Sequence, residues 1–437
     1  MAISSPNQDA GPSIHLHAEL LPNIRQVTLY ISLPESRELN DVLPGIFIPE
    51  SRRAVSVSYP EPFDDITETI KLPARVSEAS RRGLRIDKQK PEGGGNKPAD
   101  DGGRRELSFR MQLDDAAEGS NGASRLNPDE IVDDYVPWTA SDMAPSTKVR
   151  CKECGNVFLD KPTPHEDAGT GLPAWTWKDL PSGNWAEMMD FWHCHKPDPP
   201  KGAADRQDTE EANAQAKGYG AANRVVAVPG SVLVDVATFL VSGVDCLGLV
   251  KVVQQSHTSS RKANVNCLKC SALIGMEDIP ANGWRLLKTS LAVNTQPDGG
   301  SMWESHSTEN FVAAQLLELI ERESIRRFVV HCGGKSGLLL WVFNPDLRYS
   351  SSSARHSSAV QRAMKVFFQN VPDIEELLSP GPGKATSLSL EELELPPKMF
   401  HALSDTLVGR NSMLPLSARE FREWKVGLLN RFERRAW

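Results

Sequence analysis

The chain lacks an apolar run long enough to cross a bilayer. Its longest apolar stretch, Val225 to Val253, is broken by Pro229, Asp235 and Asp245, whereas a span needs about 20 consecutive apolar positions. The start, Met-Ala-Ile-Ser-Ser-Pro-Asn, has no basic segment leading into an apolar core, so a secretory signal is not expected. Positive charge is not in excess either. With 49 Lys and Arg against 57 Asp and Glu, the formal net charge is −8, which argues against a general nucleic-acid-binding surface. No H-E-x-x-H occurs, which removes the commonest zinc-hydrolase pattern. The seven cysteines are an odd number, and without a signal they point away from a disulfide framework. These absences describe a protein of a reducing compartment, cytoplasm and nucleus, with no membrane partner and no direct nucleic-acid partner.

What is present is a repeated cysteine spacing. Cys151-Lys-Glu-Cys154 and Cys267-Leu-Lys-Cys270 stand more than a hundred residues apart. A C-x-x-C pair places two thiolates on one tight turn, at the separation that tetrahedral Zn²⁺ needs for two of its four ligands. Gly155 follows the first pair and Gly275 comes shortly after the second, each a small residue under which the backbone can turn. A redox dithiol usually sits at a helix start inside a βαβ unit, and neither pair has that context. The expectation is one structural Zn²⁺ on Cys151, Cys154, Cys267 and Cys270. Four thiolates leave no position open for water. Two separate sites remain an alternative, because His193, Cys194, His195, Cys246 and His257 lie between the pairs.

Periodicity gives the organisation. Ile14–Leu20, Val27–Ile31, Ala54–Ser58 and Leu107–Leu113 alternate apolar and polar residues as strands do. Polar inserts at 88–106, 114–127 and 196–222 carry turn and charge composition and read as disordered or peripheral loops. Strand patterns return at 224–229, 231–236 and 283–293. The helix signal is best over 307–323, with Asn310 or Thr308 as its cap and Phe311, Ala314, Leu316, Leu317, Leu319 and Ile320 as its apolar face. Arg327–Cys332 and Leu338–Phe343 read as strands around a glycine turn, and Ala363–Gln369 as a further strand. Residues 377–394 read as a loop and Pro397–Val408 as a helix, while Ser417–Phe432 fits helix or strand. The fold class expected is α+β, with a β-rich N-terminal region (1–140), a zinc-stapled middle region (141–280) and an α/β C-terminal region (281–437).

Two further motifs invite chemistry. Gly334-Lys335-Ser336 resembles the end of a phosphate loop, but Val329 stands where that loop needs its first glycine. A strand pattern rather than a helix follows, so a hairpin turn is the better reading. Cys332 adjoins His331, yet consecutive strand residues point to opposite faces, which favours an incidental thiol. Trp185, Met188, Met189 and Trp192 share one helical face, and at its end stand Cys194 and His195. These two can complete a metal site, cap the helix or pair as thiol and imidazole.

The run Leu180-Pro-Ser-x-Asn184-Trp185-x-Glu-x-x-x-x-Trp192-x-Cys194-His195, set between the two cysteine pairs, resembles the HECT-like ubiquitin-conjugating-enzyme (E2)-binding family. Leu339-Leu-Trp341-Val-Phe-Asn344-x-Asp346 is similar to that family's L-L-W-L-L-N-x-D stretch, and the polar inserts suggest a fungal version. The resemblance implies an E3-type ubiquitin ligase that binds an E2 and promotes transfer of ubiquitin to itself or to a protein substrate such as a cyclin. For fungal members it also implies a link to mRNA 3′-end processing, as partner or scaffold of the nuclease subunit. It further implies that Cys151, Cys154, Cys267 and Cys270 are metal ligands and that Cys194 and His195 are motif residues. True HECT ligases carry a catalytic cysteine in a C-terminal lobe, and no cysteine follows Cys332 here. A covalent relay therefore has Cys194, Cys246 or Cys332 to use, with Cys194 the candidate nucleophile. The alternative is RING-like: the protein orients a charged E2 without a covalent step.

Overall fold

A computed structural model describes residues 13–34, 36, 38–39, 42–84, 105–114, 135–162, 174–180, 225–253, 263–296, 302–353, 359–379 and 390–434. The fold is α+β and rich in sheet. It divides into two compact units, one of residues 1–131 with 325–433 and the other of 132–324 with 434–437. The boundaries expected at 140 and 280 both fall within the second unit. The N-terminal strands pair with strands from the last third of the chain, and hydrogen bonding across that distance leaves no mark in local composition.

The first unit is organised on one large sheet. Its strands run in the order Glu420–Phe421, Trp424–Asn430, Gln361–Val371, Gly337–Ser351, His15–Leu21, Gln26–Ser32 and Glu106–Gln112. His17, Ala18 and Glu19 stand opposite Ser351, Ser350 and Tyr349, which joins the two ends of the chain. Arg327–His331 pairs antiparallel with the long Gly337–Ser351 strand. The Gly334–Ser336 segment is thus a hairpin turn, as its departures from a phosphate loop suggest. Glu391–Glu394, expected as loop, is a strand lying parallel to Arg327–His331. The ambiguous segment after 417 is strand at Glu420–Phe421 and Trp424–Asn430. The helix Pro397–Met413 packs Leu403 and Leu407 onto the sheet. It approaches so closely that a Cβ on Gly427 would lie 2.7 Å from Leu407 Cδ2.

The family-like Leu339–Asp346 stretch has a local explanation. The strand pairing slips between Val342 and Asn344 and again between Asn344 and Leu347. Asn344 Oδ1 accepts the Asp346 N–H at 3.0 Å, holding this irregular backbone. The Asp346 carboxylate accepts from Arg362 Nε at 2.5 Å and from Arg431 Nη1 at 3.2 Å. Burial opposes its ionisation, but these guanidiniums, Arg362 foremost, hold the carboxyl below its ordinary value.

The second unit contains a seven-stranded sheet, in the order Leu249–Val253, Ala263–Cys267, Leu273–Asp278, Gly283–Leu287, Thr238–Val241, Ser231–Val234 and Thr176–Asp179. A three-stranded sheet is formed by Leu291–Asn294, Lys148–Cys151 and Val157–Leu159. The 283–293 pattern, read as one strand, is therefore two strands in different sheets. A 3₁₀ turn at Lys288–Ser290 separates them. Lys288 is fully buried, and its Nζ donates to the carbonyls of Pro137 and Trp138 at 3.1 and 2.9 Å. Burial brings its ammonium down to about 7, against the opposing pull of Asp235, Asp179 and Asp142. The 224–229 pattern is also not a strand: Val225, Val226 and Val228 are exposed, and Ala227 N–H makes a single bond to Ala281 O. Thr308–Glu323 is the expected helix, but Ser307 occupies its N-cap, and the Ser307 hydroxyl donates to Asn310 Oδ1 rather than capping the backbone. No helix of the described residues is long and apolar enough to cross a membrane. The expected inserts at 88–106, 114–127 and 196–222 lie almost entirely outside the described residues.

A buried ion pair gives the first unit a measurable pH dependence. Both faces of His15–Leu21 are covered, so His17 and Glu19 are buried as fully as Leu16 and Ala18. Glu19 meets Lys365 Nζ at 2.7 Å and His17 Nε2 at 3.2 Å. Burial alone would raise the carboxyl; Lys365 and then His17 outweigh it and bring it from 4.5 to about 2. A depressed carboxyl contributes stability that is complete above its unfolded value and is lost as pH falls through its folded one. Glu19→Gln, which strands the Lys365 ammonium, is expected to cost about 3 kcal/mol near neutral pH. That difference should shrink as pH falls from 4.5 towards 2, as followed by thermal unfolding of both proteins across this range.

Candidate metal centre

The two cysteine pairs fold into matching turns at the tips of two hairpins. Lys148–Cys151 pairs with Val157–Leu159, and Ala263–Cys267 pairs with Leu273–Asp278. In the first turn Gly155 N–H donates to Cys151 O at 2.9 Å, and Cys151 N–H donates to Asn156 O at 2.8 Å. In the second, Ser271 N–H donates to Cys267 O at 2.8 Å, and Cys267 N–H donates to Ala272 O at 2.9 Å. The residue after the second cysteine is left-handed in both, Gly155 at φ 72° and Ser271 at φ 60°. The small turning residue expected in the second loop is thus Ser271, not Gly275. Gly275 lies in the sheet, where a Cβ would fall 2.2 Å from Arg285 O.

The matching turns face one another. The four sulfurs of Cys151, Cys154, Cys267 and Cys270 lie within 4.8 Å of one another. Cys151 and Cys270 are 3.7 Å apart and Cys154 and Cys267 3.6 Å. A tetrahedron with Zn–S bonds of ~2.3 Å has sulfur–sulfur edges of ~3.8 Å, so spacing and donor type both fit a closed four-thiolate site. Cys151 and Cys267 are buried in the core of this unit beside Phe158, Val265 and Ile274, Cys154 is partly buried and Cys270 is exposed.

Electrostatics sets Cys267 apart from Cys151 and Cys154. Burial raises Cys151 to about 12, although the N–H groups of Cys154 and Glu153 point at its sulfur. Burial also opposes ionisation of Cys267, but the N–H groups of Cys270 and Lys269, with the neighbouring thiols, bring it down to about 7. Cys154 is raised, burial being the main cause. A metal must displace the protons held on such thiols, so its hold weakens in acid.

A third segment, invisible as a motif, ties the turns together. Gly248 O accepts from Leu268 N–H at 2.9 Å and from Asn156 Nδ2 at 3.3 Å, and Leu247 N–H donates to Phe158 O at 3.0 Å. Gly248 is left-handed at φ 69°, and a Cβ there would meet Asn156 Nδ2 at 2.7 Å. The remaining candidates divide. Cys246 is buried away from the cluster, its Sγ directed at Ser242 O. Burial, then the Asp245 charge, push its thiol strongly upward. Cys332 is partly exposed, just past the end of its strand. The adjacent His331 accepts Gly333 N–H at Nδ1 and meets Glu392 at 2.7 Å through Nε2. Cys194 and His195, with His193 and His257, lie outside the described residues.

With this geometry in hand, the comparisons with known proteins decide the family. The sequence model of the HECT-like ubiquitin-conjugating enzyme (E2)-binding family matches residues 19–426. The chain belongs to the HECT-like E2-binding family. Both cysteine pairs and the Leu339–Asp346 stretch fall within the matched span. An uncharacterised protein of Schizosaccharomyces pombe is 26% identical over 322 residues, covering 70% of this chain and 80% of its own. One of Saccharomyces cerevisiae is 24% identical over 299 residues, covering 66% and 71%. An E3 ubiquitin-protein ligase of Mus musculus is 27% identical over 274 residues, covering 57% and 64%. No solved structure gives a significant match.

The left-handed turning residue Ser271 makes a direct test of this HECT-like centre. Ser271→Gly suits the left-handed backbone and should shift stability by less than about 1 kcal/mol, whereas Ser271→Val should cost about 1–2 kcal/mol. Thermal unfolding of the two variants beside the parent protein checks the order.

Proposed function

We propose that this protein is an E3-type ubiquitin ligase that binds a ubiquitin-charged E2 and promotes ubiquitin transfer to protein substrates by orientation, without a covalent relay of its own. Membership of an E2-binding family carries the reading. The described thiols favour the non-covalent form. Four converge on one cluster and Cys246 is buried. Cys332 adjoins a histidine whose ring is already engaged with Glu392 and Gly333. Transfer then needs only that a substrate lysine amine attack the E2 thioester carbonyl: the C–N bond forms, the C–S bond breaks, the nitrogen gives up a proton to water, and the thiolate stays on the E2. Holding the E2–ubiquitin conjugate in a reactive pose supplies orientation, which lowers the barrier without a new bond to the ligase.

Zn²⁺ is the metal that the donor set suits, with Cys151, Cys154, Cys267 and Cys270 as its ligands. When bound there it would supply cohesion rather than Lewis-acid chemistry, because four thiolates leave no open position.

Single-turnover discharge of a ubiquitin-loaded E2, resolved on a non-reducing gel, tests the mechanism. Faster discharge onto free lysine, with no adduct on this protein, is the expected result. A thiol-sensitive adduct that disappears in Cys194→Ser would replace orientation by a covalent relay, and one that disappears in Cys332→Ser would move that relay to Cys332. No acceleration across a panel of E2 enzymes would leave a non-catalytic scaffold, such as one serving an RNA-processing nuclease. Separately, the purified protein should carry about one equivalent of zinc, and Cys267→Ser should lose both the metal and several degrees of melting temperature. Retention of metal and melting temperature in Cys267→Ser would overturn the zinc assignment.

A further inference from the structure

The seven-stranded sheet of the second unit ends in opposite ways at its two edges. At one edge Thr176–Asp179 is short, polar and parallel to its neighbour, and Asp179 Oδ1 is occupied by the Ala140 N–H at 2.8 Å. Shortness, charge and polarity are the means by which a sheet keeps an edge from pairing further. The other edge, Leu249–Val253, reads Leu-Val-Lys-Val-Val and has only Lys251 to guard it. Val250, Val252 and Val253 are 39%, 42% and 56% exposed. The neighbouring strand sets Asn266 and Asn264 opposite Val250 and Val252. Those two valines therefore stand on a polar, solvent-side face rather than over the core.

Half of this strand's backbone is unused. Leu268 N–H donates to Gly248 O at 2.9 Å, whereas Cys267 N–H turns the other way, to Ala272 O. Bonding direction alternates along an antiparallel ladder. Val250 and Val252 thus bond to Asn266 and Asn264, and the N–H and C=O groups of Leu249, Lys251 and Val253 point off the sheet. Nothing bonds to those groups among the described residues.

We propose that Leu249–Val253 pairs antiparallel with the same strand of a second copy of this chain, about a two-fold axis passing beside Lys251. Two seven-stranded sheets then become one. The outward backbone groups require an extended segment, and the side chains select the copy. A two-fold interface needs a surface complementary to itself. Across the axis Leu249 meets Val253 and Val250 meets Val252, apolar against apolar at every position but the centre. At the centre Lys251 comes opposite its symmetry mate, but its Nζ is drawn back over its own sheet to Glu277 Oε1 at 2.5 Å. Each copy thereby neutralises its own ammonium. The edge reads alike from both ends, a symmetry that pairing with an unlike strand does not require. Leu249, Lys251 and Val253 each donate one bond and accept one across the axis.

Sedimentation velocity of the full-length protein from about 1 to about 100 μM tests this. The parent protein should pass from monomer to dimer across that range. Lys251→Pro removes an outward N–H and leaves the bonds to Ala263–Cys267 in place, the kind of edge position at which a strand tolerates proline. It should raise the dimer Kd about tenfold or more. Val250→Lys with Val252→Lys, which sets ammoniums against one another across the axis, should do the same. Val408→Ser, exposed in the first unit, should leave Kd unchanged. At the lowest concentration, melting temperature and metal content of each variant should match the parent, so that a loss reports the edge and not the fold. Amide hydrogen exchange of the parent protein gives a reading that needs no variant. The amides of Leu249, Lys251 and Val253 should gain protection as concentration rises, while those of Val250 and Val252 stay protected throughout. A parent protein monomeric at every concentration would overturn the proposal and leave the edge to an extended segment of another protein. A dimer with parent-like Kd in Lys251→Pro, or one that adds no protection at these amides, would place the interface elsewhere and overturn it as well.

Discussion

The convergence of two cysteine turns is the constraint on which the second unit depends. One turn ends a hairpin of the three-stranded sheet and the other a hairpin of the seven-stranded sheet. With Cys151 and Cys154 facing Cys267 and Cys270, the apolar residues beside them, Phe158, Val265 and Ile274 among them, belong to one core. The buried thiols Cys151 and Cys267 are part of that core as well as of the cluster. A metal bound there would link folding to deprotonation, since the ligands bind as thiolates and the unfolded chain offers no assembled site.

The Gly248 segment shows how the centre is held from outside. Its carbonyl receives donors from both turns, and its left-handed backbone leaves no room for a side chain against Asn156. The first unit works by a different principle. There the two ends of the chain share a sheet, and the polar groups buried by that pairing are satisfied in sets, Glu19 with Lys365 and His17, and Asp346 with Arg362 and Arg431. Such pairs add little net stability over apolar packing, but loss of one partner is costly, which makes register errors in the sheet expensive.

Much of this was legible in the sequence wherever the cause is local. Strict alternation gives the strands at His15–Leu21, Gln26–Ser32 and Ala54–Ser58, the 3.6-residue period gives Thr308–Glu323, and the C-x-x-C spacing gives the cluster itself. Non-local causes are not written there. Leu291–Asn294 separates from Gly283–Leu287 because Lys288 turns inward to two distant carbonyls. The discontinuous first unit follows from pairing across more than three hundred residues. Ser271 and Gly248 matter through backbone conformation alone, for which a serine gives no sign and a glycine only a weak one. Phe343 is exposed at a slip in the strand pairing, and a single extra residue within an apolar run does not announce itself.

X-ray absorption at the zinc edge, on protein purified without added metal, tests the centre most directly, because it reads ligand type and distance without requiring activity. Four sulfur scatterers at ~2.3 Å, with no nitrogen or oxygen bound, is the result this structure predicts. A mixed set of sulfur and nitrogen ligands would contradict it, since a histidine such as His195 would then share the metal, and absence of bound zinc would remove the closed four-thiolate site altogether.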